Sequence, residues 1–159
     1  MKEIPGNIIQ LLKERGFVIV STLDKSGSIH CSAKGVIEVK ESGQVYLIDL
    51  YKQITYNNLK RDNTISITAI DEDQFIGFVL KGKAKIVKRE KIEDRLIKQW
   101  KRKIVERISK RVIKNVKKAK ASVKHPESMF PQPEYLIEMQ VDKIIDLTPA
   151  HLKDSVLGD

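Results

Sequence analysis

The chain has 159 residues, a single cysteine and a formal net charge of +9. This length is enough to bury a hydrophobic core without disulfide bonds, and the lone cysteine excludes an intramolecular disulfide. Because no apolar stretch approaches the roughly 18 residues of a membrane span and no signal peptide is recognisable, we expect one soluble, cytoplasmic domain over residues 1–159, with no part in the membrane.

The first 40 residues predict a short helix followed by two strands. Residues 4–15 place apolar side chains on one helical stripe, and Gly16 ends the helix. Residues 17–23 form a strand, a turn with Gly27 follows, and residues 28–39 alternate as a second strand. In that strand we expect one set of side chains to face the core: Ile29, Cys31, Ala33, Ile37 and Val39. The opposite set comprises His30, Ser32, Lys34 and Glu38.

The middle of the chain predicts further hairpin-spaced strands and one helical crossover. An apolar strand at 45–48 leads into about two helical turns at 52–61, and residues 64–70 alternate again. Residues 75–87 then form a long strand, and residues 135–141 alternate as a last one. This order favours a mostly β protein with peripheral helices, built as a small antiparallel barrel.

A basic helical segment is inserted before the last strand, at residues 90–121. Residues 81–124 carry 19 Lys and Arg against four acids, so the positive charge is concentrated there. Apolar residues recur mostly every four positions, and each such step rotates the stripe by about 40°. We therefore predict a bend or a break near 106–109. An extended connector with three prolines should follow at 125–133, and the tail, 147–159, should start a short helix at Thr148-Pro149-Ala150.

The junction between the third strand and the crossover helix carries the candidate chemistry. Lys52, Thr55 and Asn58 recur every three residues, so they are expected along one face of the helix. A helix that starts directly after a strand points unpaired N–H groups at a bound anion, which suits a phosphate. The alternative is that Thr55 is a satisfied helix hydroxyl, Asn58 a surface amide and Lys52 a solvated charge.

The order of residues around this junction resembles the pyridoxamine 5'-phosphate oxidase-like, FMN-binding split-barrel family. The matching segment runs from Asp49-Leu50-Tyr51 through Thr55 to Asn58-Leu59 and on to residues 60–63. The likeness extends upstream to residues 22–27 and to Ser32-Ala33-Lys34-Gly35, and downstream to residues 78–84. The resemblance implies a six-stranded antiparallel split β-barrel and a homodimer with two FMN sites at its interface. It also implies flavin-dependent oxidoreductase activity on a small-molecule substrate or electron donor.

The resemblance assigns roles to individual residues. Lys52, Thr55 and Asn58 would hold the FMN phosphate, and the segment from Ser32 through Ala33 to Lys34 would lie against the flavin ring. Backbone groups of Asp49, Leu50 and Tyr51 would contact the ring or the ribityl chain. One position departs from the family pattern: Ile54 stands where a lysine commonly precedes the threonine. This leaves open whether FMN or a deazaflavin is bound, and whether the protein is an enzyme or a flavin carrier.

The residues also bear on two other functions, metal binding and polyanion binding. The histidines, His30, His125 and His151, lie far apart and lack other ligands at metal-binding spacing, so no metal site is predicted. His30 shares the predicted face of Ser32 and Lys34. The cations of residues 95–120 could bind nucleic acid or another polyanion, or could clasp an acidic surface of the same or a second subunit. The apolar stripe and Trp100 indicate that part of this segment packs against another apolar surface.

Overall fold

A computed structural model of the chain describes residues 2–117 and 130–156. Its helices are α1 (Gly6–Arg15), α2 (Ile54–Arg61), α3 (Asp94–Lys117) and α4 (Ala150–Val156), and a single 3-10 turn spans Arg89–Lys91. The strands are β1 (Phe17–Leu23), β2 (Ile29–Val39), β3 (Gln44–Asp49), β4 (Thr64–Asp71), β5 (Ile76–Lys88) and β6 (Tyr135–Asp146).

The six strands close into an antiparallel barrel in the order β1-β2-β3-β6-β5-β4, which confirms the predicted barrel. The ladder between β5 and β6 joins eleven residue pairs. The seam between β1 and β4 joins only three, Ile19–Ser21 against Ser66–Thr68. The number of paired residues therefore differs from one ladder to the next around the barrel, and the β1–β4 ladder is the shortest.

Inward side chains of all six strands form the main core, and two helices pack against it. α1 leads into the start of β1 and contributes Ile8 and Leu12 to the core. α2 contacts β1, β2 and β5, and it contributes Leu59. The strand residues are aliphatic and β-branched, as expected for strands buried on one face. α2 thereby holds the residues after β3 against the barrel.

A β-bulge in β2 changes which side chains face the core. The register between β2 and β3 shifts between Val36 and Glu38. Val36 and Val39 both lie in the barrel core, whereas Ile37 packs beneath α3 and Glu38 pairs with Arg95 of α3. Two consecutive side chains thus point outward, as a bulge produces. The continuous alternation predicted for residues 28–39 is wrong across this point.

The first half of β2 also faces the opposite way from the prediction. Ile29 is 73% exposed, and Cys31 and Ala33 are exposed as well. His30, Ser32 and Lys34 are the half-buried side chains on the inner side. The prediction that Cys31 is a buried core residue is wrong. The bulge places one extra residue between Cys31 and Val39, so Val39 faces the core while Cys31 lies on the outer face of the strand.

α3 packs on the barrel mainly through its first half. Ile92, Leu96 and Trp100 are buried against a second cluster that includes Ile37 and Tyr46 on the outer faces of β2 and β3. Towards the end of the helix, Val105, Val112 and Ile113 are 62%, 43% and 55% exposed. The helix continues through 106–109, so the predicted break is wrong, and the alternative of a bend there stays a prediction. The rotating apolar stripe leaves these side chains in solvent instead.

The remaining predictions concern the segments on either side of β6. Only residues 130–133 of the predicted connector fall within the described part of the chain, as do residues up to 117 of the predicted helical insertion. The short helix expected near Ala150 is confirmed as α4. Among the helices of the described residues, none is long and apolar enough to cross a membrane.

Candidate functional site

The inner face of α2 joins the helix to β1 and β2 through hydrogen bonds between side chains. The hydroxyl oxygens of Thr55 and Ser32 lie 2.9 Å apart. The amide Nδ2 of Asn58 donates to the hydroxyl of Thr22 at 3.0 Å. Thr55 and Asn58 are 3% and 4% exposed, so both side chains are committed to contacts within the protein.

A buried charged cluster lies behind this helix, where β2, β3 and β6 run side by side. Lys34 Nζ lies 2.7 Å from Asp49 Oδ2, and the hydroxyl of Tyr135 donates to the same oxygen. Burial, followed by the hydrogen bond to Asp49, raises the pKa of Tyr135, which keeps this hydroxyl a donor. Lys34 thus neutralises a buried carboxylate, and its ammonium does not stand free for a ligand.

Lys52 does not share the face of Thr55 and Asn58, so the predicted three-residue face is only partly correct. Lys52 precedes the first residue of α2, Ile54, because the chain between β3 and the helix makes a turn in which Gln53 N donates to Tyr51 O at 2.9 Å. Its side chain is exposed, and its Nζ lies 6.0 Å from the centroid of the Tyr56 ring. The side chains of Thr55 and Asn58 face the barrel instead.

The other residues of the expected site are distributed over two surfaces. Ala33 is exposed on the outer face of β2, away from Ser32. Tyr51 is 50% exposed, and its amide donates to the Asp49 carboxylate at 3.4 Å, while Leu50 is half-buried against the cluster beneath α3. The structure therefore brings Ser32, Lys34, Asp49 and Thr55 to one end of the barrel and leaves Ala33 and Tyr51 outside that group.

The N-terminus of α2 is one anion-receptive feature of this end of the barrel. No side chain caps the first turn, which begins after Gln53. Unpaired N–H groups of a first helical turn carry partial positive charge. Ser32 and Thr55 place two hydroxyl groups beside this turn. Ile54, in the first turn, is 54% exposed and adds apolar surface.

Sequence reasoning missed three residues that complete this arrangement. Thr22 accepts a hydrogen bond from Asn58, and Tyr135 donates one to Asp49. Arg61 donates to both the Asn58 side chain and the Leu23 carbonyl. The alternation of β1 could have indicated that Thr22 faces inward. Tyr135 lies 86 residues from its partner Asp49, and no local pattern connects them. Within residues 2–117 and 130–156, no group of three His, Cys, Asp or Glu side chains could hold a metal ion.

Comparison with known proteins identifies the family. The family model described as pyridoxamine 5'-phosphate oxidase matches residues 4–145. The chain belongs to this family. The barrel is accordingly the split barrel of the pyridoxamine 5'-phosphate oxidase family, in agreement with the resemblance seen in the sequence. No curated protein matches the sequence.

Solved structures share the fold at low sequence identity. HupZ of Group A Streptococcus superposes with a TM-score of 0.64 at 14% identity, covering 91% of this chain and 95% of that one. A Clostridium acetobutylicum protein of the pyridoxinephosphate oxidase family, related to general stress protein 26, gives 0.54 at 16%, covering 92% and 94%. An FMN-binding protein from Syntrophomonas wolfei gives 0.59 at 13%, covering 89% and 84%.

Proposed function

We propose that this member of the pyridoxamine 5'-phosphate oxidase family is a flavin-binding protein, with FMN as the cofactor. The observation that carries the proposal is the Ser32–Thr55 hydroxyl pair beside the uncapped first turn of α2. Hydroxyl groups and helix N–H groups are suitable donors for a phosphate monoester. The FMN-binding protein from S. wolfei supports the choice of cofactor, since it has the same fold.

The residues present fit a flavin in part. Ser32 is half-buried and Tyr51 is half-exposed, so both are accessible to a ring or a ribityl chain at this end of the barrel. Asn58 does not fit as a phosphate ligand, because it is buried and donates to Thr22. Lys34 does not fit as a cation facing the ring, because Asp49 neutralises it. The main binding groups are then Ser32, which the buried Thr55 hydroxyl orients, and the first-turn amides of α2.

A bound flavin would supply hydride or electron transfer, which the amino acid side chains cannot perform. The chain's own contribution is binding and orientation. The Lys34–Asp49–Tyr135 cluster ties β2, β3 and β6 together directly behind the Ser32–Thr55 pair, and it keeps the backbone of this end of the barrel in place. We propose an oxidoreductase acting on a small molecule, with a flavin carrier as the outcome if no donor reduces the bound cofactor.

We further propose that a second copy of the chain covers the outer face of β1, β2 and β4. Apolar side chains are exposed on this face: Phe17 at 41%, Ile19 at 46%, Ile29 at 73% and Ile70 at 56%. Ile19 is paired with Ala33, which is also exposed, so the patch crosses strands. Contiguous exposed apolar surface of this kind usually marks an interface. A homodimer would place this face beside the flavin site of each subunit.

The cofactor is tested by mass determination of any small molecule that copurifies, followed by titration of the apoprotein with FMN and with riboflavin. We expect FMN to bind, and Ser32→Ala combined with Thr55→Val to weaken it at least tenfold. Asn57→Ala, on the exposed side of α2, is the matched control and should bind as the parent does. Thermal unfolding of each variant verifies the fold. Binding of neither flavin would overturn the proposal.

The phosphate position is tested by adding a cation. Ile54→Lys places an ammonium at the first turn of α2, and we expect it to tighten FMN binding by about tenfold, equivalent to about 1.4 kcal/mol. Riboflavin lacks the phosphate, so its affinity should not change. Equal tightening of both ligands would show that the phosphate lies elsewhere. The mass measurement also distinguishes FMN from a deazaflavin, and bleaching by reduced nicotinamide nucleotides distinguishes an oxidoreductase from a carrier.

A second candidate function is polyanion binding by residues 101–117 of α3. Lys101, Arg102 and Lys110 are exposed on this segment, which as a whole is strongly basic. We expect any such binding to DNA or RNA to weaken steeply with salt. Lys101→Gln combined with Arg102→Gln should reduce both the affinity and the salt dependence. Lys2→Gln, at an exposed site on another segment, serves as the control.

A further inference from the structure

A basic pocket lies beside Tyr56, between the turn before α2, the end of β5 and the start of β6. It has a volume of about 420 Å³ and is lined by Lys52, Lys88 and Arg89, by Glu90 and Glu134, and by Tyr56 and Tyr135. Five segments of the chain meet here: the turn before α2, α2 itself, the end of β5, the 3-10 turn and the start of β6. Ser32 and Thr55 do not line it, and it adjoins the proposed flavin site at the start of α2 through Lys52 and Tyr56.

The cations of the basic pocket are not neutralised by its acids. Among the described residues, no carboxylate lies within 4.0 Å of the ammonium of Lys52 or Lys88 or of the guanidinium of Arg89. Arg89 is held in place because its NH1 donates to the Pro133 carbonyl at 3.0 Å. Cations that line one pocket without a paired carboxylate repel one another, and a bound anion would relieve this repulsion.

An aromatic surface completes the basic pocket. The Tyr56 ring packs edge-on against the Tyr135 ring, with centroids 4.9 Å apart and planes at 68°. Its face is flanked by two lysines, since Nζ of Lys52 lies 6.0 Å and Nζ of Lys60 lies 5.7 Å from its centroid. Tyr135 fixes the orientation of Tyr56, because it is fully buried. A planar ring next to clustered cations suits a ligand with both an aromatic part and an anionic part.

We propose that the basic pocket is a binding site for a small phosphorylated ligand of the nucleoside phosphate class. A phosphate carries up to two negative charges and several acceptor oxygens, so it matches a pocket lined by three cations better than a single carboxylate does. Arg89 offers a planar fork of donors suited to phosphate, and Lys52 and Lys88 add point charges. The ring of the ligand would lie against Tyr56.

Calorimetric titration of the full-length protein with AMP and with inorganic pyrophosphate tests this site. We expect saturable binding of both at one site per chain, with AMP displacing pyrophosphate. Lys88→Gln should weaken both ligands at least tenfold, and adding Lys52→Gln should weaken them further. The matched control is Lys60→Gln, which removes the other lysine beside Tyr56 without touching the basic pocket. Tyr56→Leu should weaken AMP more than pyrophosphate.

Three outcomes would overturn the proposal: no saturable binding of either ligand, binding that survives in the Lys52/Lys88 double variant, or an equal loss in the Lys60→Gln control. Thermal unfolding of each variant distinguishes lost binding from lost folding. The test is independent of the flavin proposal, because Lys88 lies outside that site. AMP binding without flavin binding would sustain this inference alone, and flavin binding without AMP or pyrophosphate binding would refute it alone.

Discussion

The ammonium of Lys34 lies 2.7 Å from the carboxylate of Asp49, and the two side chains are 13% and 6% exposed. This ion pair connects β2 and β3, and Tyr135 of β6 donates to the same carboxylate. A charge pair removed from water to this extent is stable only while both partners are present. Substitutions that remove one member of this cluster should therefore destabilise this end of the barrel.

Removing one partner of this pair should be strongly destabilising. We expect Lys34→Met to lower the free energy of unfolding by about 3 kcal/mol, since it leaves the Asp49 charge buried and unpaired. The double variant Lys34→Met/Asp49→Asn should lose much less, since no charge is then buried. Chemical denaturation measures both. Lys153→Met breaks the exposed pair with Asp146 and should cost less than about 1 kcal/mol. A single variant no worse than this control would contradict the argument.

Tyr135 should make stability depend on pH above the ordinary range of tyrosine. Its folded-state pKa is raised by burial and by Asp49, above the reference of 10.0. The unfolded chain releases this proton near pH 10 while the folded protein keeps it, so the stabilising contribution is complete below pH 10 and declines above it. Tyr135→Phe should remove this decline. Melting temperatures of the two proteins should therefore converge from pH 9 to pH 11, and a constant gap would contradict the assignment.

Gly82 should tolerate no side chain. A Cβ at this position would overlap the carbonyl oxygen of Gln140 on β6, where the β5–β6 register shifts. Backbone atoms cannot move aside cheaply, so we expect Gly82→Ala to cost at least about 2 kcal/mol. Gly6→Ala is the matched control, since a methyl group there would meet nothing within 4 Å, and it should be close to neutral. Equilibrium denaturation of the two variants decides the point.

The two halves of α3 should differ in their contribution to stability. Trp100 is 4% exposed within the second cluster, and Trp100→Ala should cost about 3–5 kcal/mol. Val105→Ala, at a side chain that is 62% exposed, should change stability by less than about 0.5 kcal/mol. Denaturant titrations measure both effects. A large loss for Val105→Ala would show that the second half of α3 is covered in solution, and sedimentation would then identify a second copy.

Most of the strands could be predicted from the sequence, because local patterns determine them. The turn at Gly27 and the alternation of β4 are local features, and the structure confirms both. The bulge at Ile37 could not be predicted, since it depends on how β2 meets β3 and α3. That single extra residue accounts for the wrong placement of Cys31.

The candidate site was predicted in part. Ser32, Lys34, Asp49 and Thr55 do come together, because strand alternation and helical periodicity fix their directions. The contacts of these side chains could not be predicted, because the Lys34–Asp49 ion pair joins residues on two different strands. Lys52 was misplaced because helical spacing was applied to a residue that precedes the helix. The start of a helix depends on a turn whose hydrogen bonds are not encoded in spacing alone.

The three-pair seam between β1 and β4 has a consequence for how the barrel opens. Each additional ladder pair adds hydrogen bonds and cross-strand contacts, so a shorter ladder separates at a lower free energy than the eleven-pair ladder of β5 and β6. Thermal fluctuation should part the sheet there first and uncurl it into an open ribbon. Amide protons of Ile19–Ser21 and Ser66–Thr68 that bond across the β1–β4 ladder should then exchange with deuterium well before those of β6. Strand β6 would be the part of the barrel that opens last.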